Sequence, residues 1–201
     1  MTENITLGSI KTYWDEEETI IKEEYFICGG KKEGIYKSYY NNGQLLSKVK
    51  YINGNKHDNY ELYHKNGQLW DTVNYVDGKM DGNYKSYWSN GQLNSEVNYK
   101  DGKKEGKQKK YYDNGQLKEE VNYVDGKMDG NYKSYWSIGQ LYEKVNYVNG
   151  KMDGIYECYQ QNGQLGTEVK YIDGKKEGML KIYYENGQLW EKVNYVNGVE
   201  Q

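Results

Sequence analysis

At 201 residues with a net charge of −3, the chain lacks the basic surface that would draw it to nucleic acid. Aliphatic residues are scarce and alanine, proline and arginine are absent, which excludes a thick aliphatic core. The 25 tyrosines and 5 tryptophans supply apolar area instead, each ring able to bury about 150–250 Å², so the expected interior is a thin layer of stacked rings.

The chain begins without a basic start and apolar run between Met1 and Ile10, so no signal peptide is expected. No stretch has the length needed to cross a bilayer. Residues 9–30 read as a degenerate repeat: Tyr13-Trp14 stands as an aromatic pair, Asp15 to Glu18 replaces a glycine turn, and Gly30 to Gly34 matches a later turn. Residues 1–33 are therefore expected to form an N-terminal cap, since end repeats are usually atypical.

From residue 34 to 201 the sequence repeats every 24 residues. The turn glycines are Gly43, Gly67, Gly91, Gly115, Gly139, Gly163 and Gly187, and no insertion breaks the register. Such a period marks stacked repeats. Each unit holds two short aromatic or β-branched runs separated by glycine turns, a hairpin signal, and no run has helical spacing. The expected fold is all-β, an elongated single-layer antiparallel sheet of seven hairpins forming one continuous domain. Its outer strand leaves monomer and edge-paired dimer both open.

Four columns never change: those of Tyr39, Leu45, Val49 and Tyr51. A three-residue loop, Asn41-Asn42-Gly43, pairs Tyr39 with Leu45 through a type I turn and a left-handed glycine. With unbroken alternation it sends all four columns to one side. The second turn, Asn53-Gly54 and its copies, joins each hairpin to the next. Asp58 stands where later copies have glycine, so a looser junction is expected there.

Two other columns vary. One reads Tyr40, His64, Trp88, Tyr112, Trp136, Gln160, Tyr184, and the other Leu46, Trp70, Asn94, Lys118, Tyr142, Gly166, Trp190. They are expected opposite the Leu and Val columns as a recognition surface, with Trp70, Trp88, Trp136, Tyr142 and Trp190 as partner-binding anchors, because interface hot spots favour tryptophan and tyrosine. The bland alternative is a solvent face with drifting aromatics, or satellite packing between neighbouring strands.

The pattern Gly-x-Tyr-x-x-Tyr-Tyr-x-Asn-Gly-Gln-Leu-x-x-x-Val-x-Tyr-x-x-Gly-Lys resembles the MORN-repeat variant of bacterial YwqK-like antitoxin proteins, over about residues 13–201. The resemblance implies hairpin repeats, no catalytic residue, and a protein partner such as a cognate toxin that the chain neutralises by direct binding. A carbohydrate-binding module and a membrane-surface scaffold are the alternatives.

No nucleophile–base pair, metal cluster or phosphate loop is visible, so neither enzyme activity nor a cofactor is expected. His57 and His64 lack further ligands for zinc. Cys28 and Cys158 lie about five repeats apart, too far for a disulfide in a linear stack. All of this favours the cytoplasm, and the lysine-only, asparagine-rich composition suggests a bacterial source.

Overall fold

A computed structural model describes residues 7–201. The first six residues of the expected cap, and most of the stretch searched for a signal peptide, lie outside them. Every regular element among the described residues is a β-strand, and all strand pairings shown are antiparallel. The chain forms two compact units, one ending at Lys103 and one beginning at Lys104.

The Asn-Gly turn has the expected form. Tyr40 N–H donates to the Gln44 carbonyl at 2.8 Å and Gly43 N–H to the Tyr40 carbonyl at 2.9 Å, with Gly43 at φ 81°, a conformation nearly free of strain only for glycine. The Asn42 side chain accepts the Gln44 amide at 3.1 Å, and Asn66, Asn90, Asn114, Asn162 and Asn186 repeat that bond. Asn66, Asn114 and Asn162 also donate to the backbone of the following turn, at Ser89, Ser137 and Glu185, each at 2.9 Å. Ile138 replaces the asparagine of the fifth turn and is 61% exposed. Ile138→Asn is expected to stabilise the second unit by about 1 kcal/mol, read as a higher urea midpoint. An unchanged midpoint would contradict this role for the turn asparagine.

Tyr39 pairs with Leu45, as expected, but Ser38 pairs with Ser47. Residue 46 is thus the extra residue of a bulge, and the alternation slips by one. Val49 then lies opposite Tyr36, and Tyr51 opposite Gly34. The same slip recurs in the other hairpins, for example with Tyr63 against Leu69 in the first unit and Tyr135 against Leu141 in the second. The expectation that the four constant columns share one side is therefore corrected. Tyr39 and Leu45 project from one side, and Val49 and Tyr51 from the other.

The valine side carries the core. Val49, Val73 and Val97 in the first unit are 1%, 2% and 1% exposed, and Val121, Val145 and Val169 in the second are 1%, 4% and 2% exposed. Val49, Val73 and Val97 pair directly with Tyr36, Tyr60 and Tyr84, Val145 and Val169 with Tyr132 and Tyr156, and Val121 with Gln108. Tyr36, Tyr60 and Tyr84 meet Tyr51, Tyr75 and Tyr99 edge-on at 5.9, 6.1 and 6.1 Å. Tyr132 and Tyr156 meet Tyr147 and Tyr171 at 5.9 and 6.3 Å. Such pairs add roughly 0.5–1.5 kcal/mol beyond burial.

Neighbouring hairpins are joined by two-residue turns with positive φ at both positions, 52° at Asn53 and 85° at Gly54, the type I′ form that suits strand twist. Turns also bond to one another: Gly54 N–H reaches the Lys32 carbonyl at 2.9 Å, and a Glu33 carboxylate oxygen accepts the Asn53 amide at 2.9 Å. Asp58 keeps the positive φ (61°) of the glycine it replaces. It holds Lys50 at 2.9 Å, and the ladder breaks at a bulge over residues 58–60 before resuming at Glu61 opposite Lys48, the same irregularity that the glycine copies Gly34 and Gly178 show.

The first hairpin, Gly8–Tyr13 with Ile21–Cys28, has the register of a full repeat, bulge included. Only its loop differs. Asp15 ties it by accepting the Thr19 and Ile20 amides at 3.0 and 2.8 Å.

Candidate functional site

The two variable columns flank the Asn-Gly turns. Residue 40 has the parity of Tyr36 and Ser38, so its row lies on the valine side. It is opposite the Leu45 column, as expected, but not opposite the Val49 column. The bulge at residue 46 turns that side chain toward the same row, and the two columns meet ring to ring. In the first unit His64 and Trp70 stack at 4.9 Å and 11°. In the second, Trp136 and Tyr142 lie 4.4 Å apart at 59°, and Tyr184 and Trp190 5.7 Å apart at 31°.

The column of residue 40 is also a row of struts. Tyr40 OH donates to the Tyr63 carbonyl at 2.8 Å, and His64 Nε2 lies 3.2 Å from the Tyr87 carbonyl. In the second unit Tyr112 OH, Trp136 Nε1 and Gln160 Nε2 donate to the carbonyls of Tyr135, Tyr159 and Tyr183 at 2.7, 3.3 and 3.1 Å. Four chemically different side chains thus perform one task, reaching the backbone of the next repeat. The sequence held the signal, because all seven residues of the column carry an N–H or O–H at the tip.

Of the expected anchors, Trp70 and Trp88 fall in the first unit and Trp136, Tyr142 and Trp190 in the second. Trp70 is 42% exposed and Trp190 is 60% exposed. Trp88, Trp136 and Tyr142 are half-buried.

Carboxylates beside the core are held by tyrosine hydroxyls. Tyr36 donates to Glu23 at 3.0 Å and Tyr84 to Asp71 at 3.0 Å. Glu143 accepts from Tyr156 at 2.9 Å and from Tyr132 and Ser134 at 3.2 Å each. Burial, reinforced by these carboxylates, pushes the Tyr36 and Tyr84 hydroxyls up to about 12 and raises Tyr132 and Tyr156 as well. Burial also raises Asp71, against the opposing pull of the Tyr84 hydrogen bond. It raises the Cys158 thiol too, which keeps that sulfur protonated rather than nucleophilic.

Lysines complete this layer. The Lys32 ammonium lies 4.2, 4.5 and 5.4 Å from the ring centres of Tyr36, Tyr25 and Tyr51. Lys56 lies 4.6 and 5.2 Å from those of Tyr60 and Tyr75. Repeats without a lysine here carry Met80, Met128 or Met152.

The opposite side bears ion pairs between neighbouring hairpins. Lys37 reaches Glu24 at 2.9 Å, which also accepts from Tyr39 OH at 2.6 Å. Lys181 reaches Glu168 at 2.8 Å, and Lys144 bonds Glu157. Hydrogen bonds from Tyr39 and Lys37 hold Glu24 below the usual carboxylate range. Solvent reaches these pairs and screens them, so each contributes little to stability. Among the described residues, no group of three or more His, Cys, Asp or Glu is placed to hold a metal ion. The site is therefore a ring-lined surface that can bury aromatic area and carries few charges of its own.

Comparison with known proteins fits this geometry. The chain matches the MORN repeat variant family over residues 32–53, 59–77, 80–101, 104–125, 128–149 and 176–197. The second match begins just past His57 and Asp58, where the turn departs from pattern. The stretch between the last two matches forms the same hairpin, Gly154–Tyr159 against Leu165–Ile172. No curated protein matches the chain. Among solved structures it is similar to a chain of "Crystal Structure of TcdB2-TccC3", at 12% identity and a TM-score of 0.24, covering 94% of this chain and 15% of that one. Repeats of the matched kind generally bind proteins or membranes. With six copies in register across more than half its length, the chain belongs to the MORN repeat variant family.

Proposed function

We propose that this chain is a non-enzymatic, cytoplasmic protein-binding repeat protein that acts as a YwqK-like immunity partner, neutralising a bacterial toxin by direct contact. In this reading residues 1–33 cap the repeats of 34–201, and Trp70, Trp88, Trp136, Tyr142 and Trp190 are the anchors. The supporting observation is that Trp70 and Trp190 keep 42% and 60% of their surface exposed while each rests on a neighbouring ring. A ring already held in place loses little freedom when a partner covers it. Large rigid aromatics are the usual hot spots of such contacts.

The test is co-expression with a toxin encoded beside this chain. The native chain is expected to restore growth and co-purify with the toxin. The Trp70→Ala/Trp190→Ala variant should fold normally by circular dichroism and bind at least tenfold more weakly, since one tryptophan hot spot contributes about 2 kcal/mol or more. Absence of a complex, or equal binding by the variant, would overturn the reading.

A further inference from the structure

The aromatic row of the second unit has one gap. Trp136 and Tyr142 form a ring pair in one repeat, and Tyr184 and Trp190 form another two repeats on. The repeat between them carries Gln160 and Gly166 at the same positions. Equivalent residues in successive hairpins lie about 10 Å apart, since each hairpin adds two strands. The flanking pairs are therefore about 19 Å apart, and neither of the two positions between them carries a ring.

Gln160 forms the floor of the gap. A Cβ on Gly166 would lie 3.2 Å from Gln160 Cγ and 3.5 Å from Nε2, so the glutamine side chain lies over bare backbone. Its Nε2 is pinned to the Tyr183 carbonyl at 3.1 Å. Its Oε1 is buried and has no hydrogen-bond partner, an arrangement that native structures rarely leave unmet.

We infer that this gap receives one tryptophan or tyrosine side chain from the protein partner, whose ring completes the row and whose N–H or O–H is accepted by Gln160 Oε1 after a small swing of the amide. The inference rests on the reading that this row is the binding surface. The ring walls favour an aromatic occupant. The unmet acceptor favours one carrying a donor, which separates tryptophan and tyrosine from phenylalanine and leucine.

The probe is N-acetyltryptophanamide, titrated into the full ¹⁵N-labelled chain and followed by amide chemical shifts. Shifts are expected at residues 158–166 and the flanking ring pairs, with a Kd on the order of millimolar. N-acetylphenylalaninamide should bind at least threefold more weakly. Gln160→Trp/Gly166→Tyr installs the pair that the chain already accommodates at Trp136 and Tyr142, and should weaken the probe at least tenfold. If that variant fails to fold, Gln160→Met keeps the gap but removes the acceptor, and should abolish the preference for tryptophan over phenylalanine. Shifts confined elsewhere, undiminished binding by the filled variant, or a preference for methyl glucoside over the tryptophan probe would overturn the inference. No toxin enters the titration. A chain that takes the probe but rescues no cell sinks the immunity reading alone, and one that rescues cells but ignores the probe sinks this inference alone.

Discussion

Alkali is expected to unfold this protein cooperatively between about pH 10 and about pH 12. Burial raises the hydroxyls of Tyr36, Tyr51, Tyr60, Tyr75, Tyr84 and Tyr99 in the first unit, and of Tyr132, Tyr147, Tyr156 and Tyr171 in the second. Tyr36 and Tyr84 reach about 12. An unfolded tyrosine ionises near 10. The folded state thus holds the phenolic proton more tightly than the unfolded state does. That contribution to stability is complete below the unfolded value and is lost as pH climbs through the folded one.

Many rings share one layer over the valines, so their ionisation should be coupled to its loss. Tyrosinate absorbance should stay low past pH 10 and then rise together with the collapse of the β-sheet circular dichroism. A smooth titration centred on the ordinary tyrosine value, with the sheet intact, would show that the rings do not form a covered layer.

The second large effect concerns the valines beneath. Val145 is 4% exposed and Val148, three residues on, is 44% exposed. Val145→Ala should cost about 2 kcal/mol, the transfer free energy of a buried valine side chain plus the void it leaves. Val145→Asp places an unpaired carboxylate in the same spot and should cost several kcal/mol more, enough to unfold the surrounding repeats at room temperature. Val148→Ala should stay within about 0.5 kcal/mol of the native chain. Urea titration of the three variants reads the order directly, and equal losses at positions 145 and 148 would contradict the assignment of sides.

Much of this fold could be read from the residues. The glycine at every turn and the pairing of Tyr39 with Leu45 follow from loop length and from the cost of positive φ outside glycine. The bulge was not legible. Residue 46 and its copies are Leu, Trp, Asn, Lys, Tyr, Gly and Trp, with nothing in common to mark an extra residue, and parity arguments assume alternation that does not slip. That one omission put the valine and leucine columns on the same side.

It also hid the layer formed by the Tyr36 column, in which Gln108 and Leu180 stand among the tyrosines and break an otherwise constant position. The aromatic row was visible as a pair of variable columns. Variation alone suggests a recognition surface, whereas the residue 40 column varies only among side chains with an N–H or O–H at the tip. The column of residue 46, where Trp70, Tyr142 and Trp190 stand, varies more widely, from glycine and lysine to tryptophan.

The placement of the core layer, and of the aromatic row beside it, depends on the slip at the bulge. Paired cysteines in a Cys28→Ser/Cys158→Ser background test it most directly. Tyr132 and Val145 are direct partners across one hairpin, whereas unbroken pairing from Tyr135 and Leu141 would set Asn131 against Val145. Tyr132→Cys/Val145→Cys should form a disulfide readily under mild oxidation while Asn131→Cys/Val145→Cys stays reduced. The reverse outcome would return the constant columns to one side and remove the basis for the site.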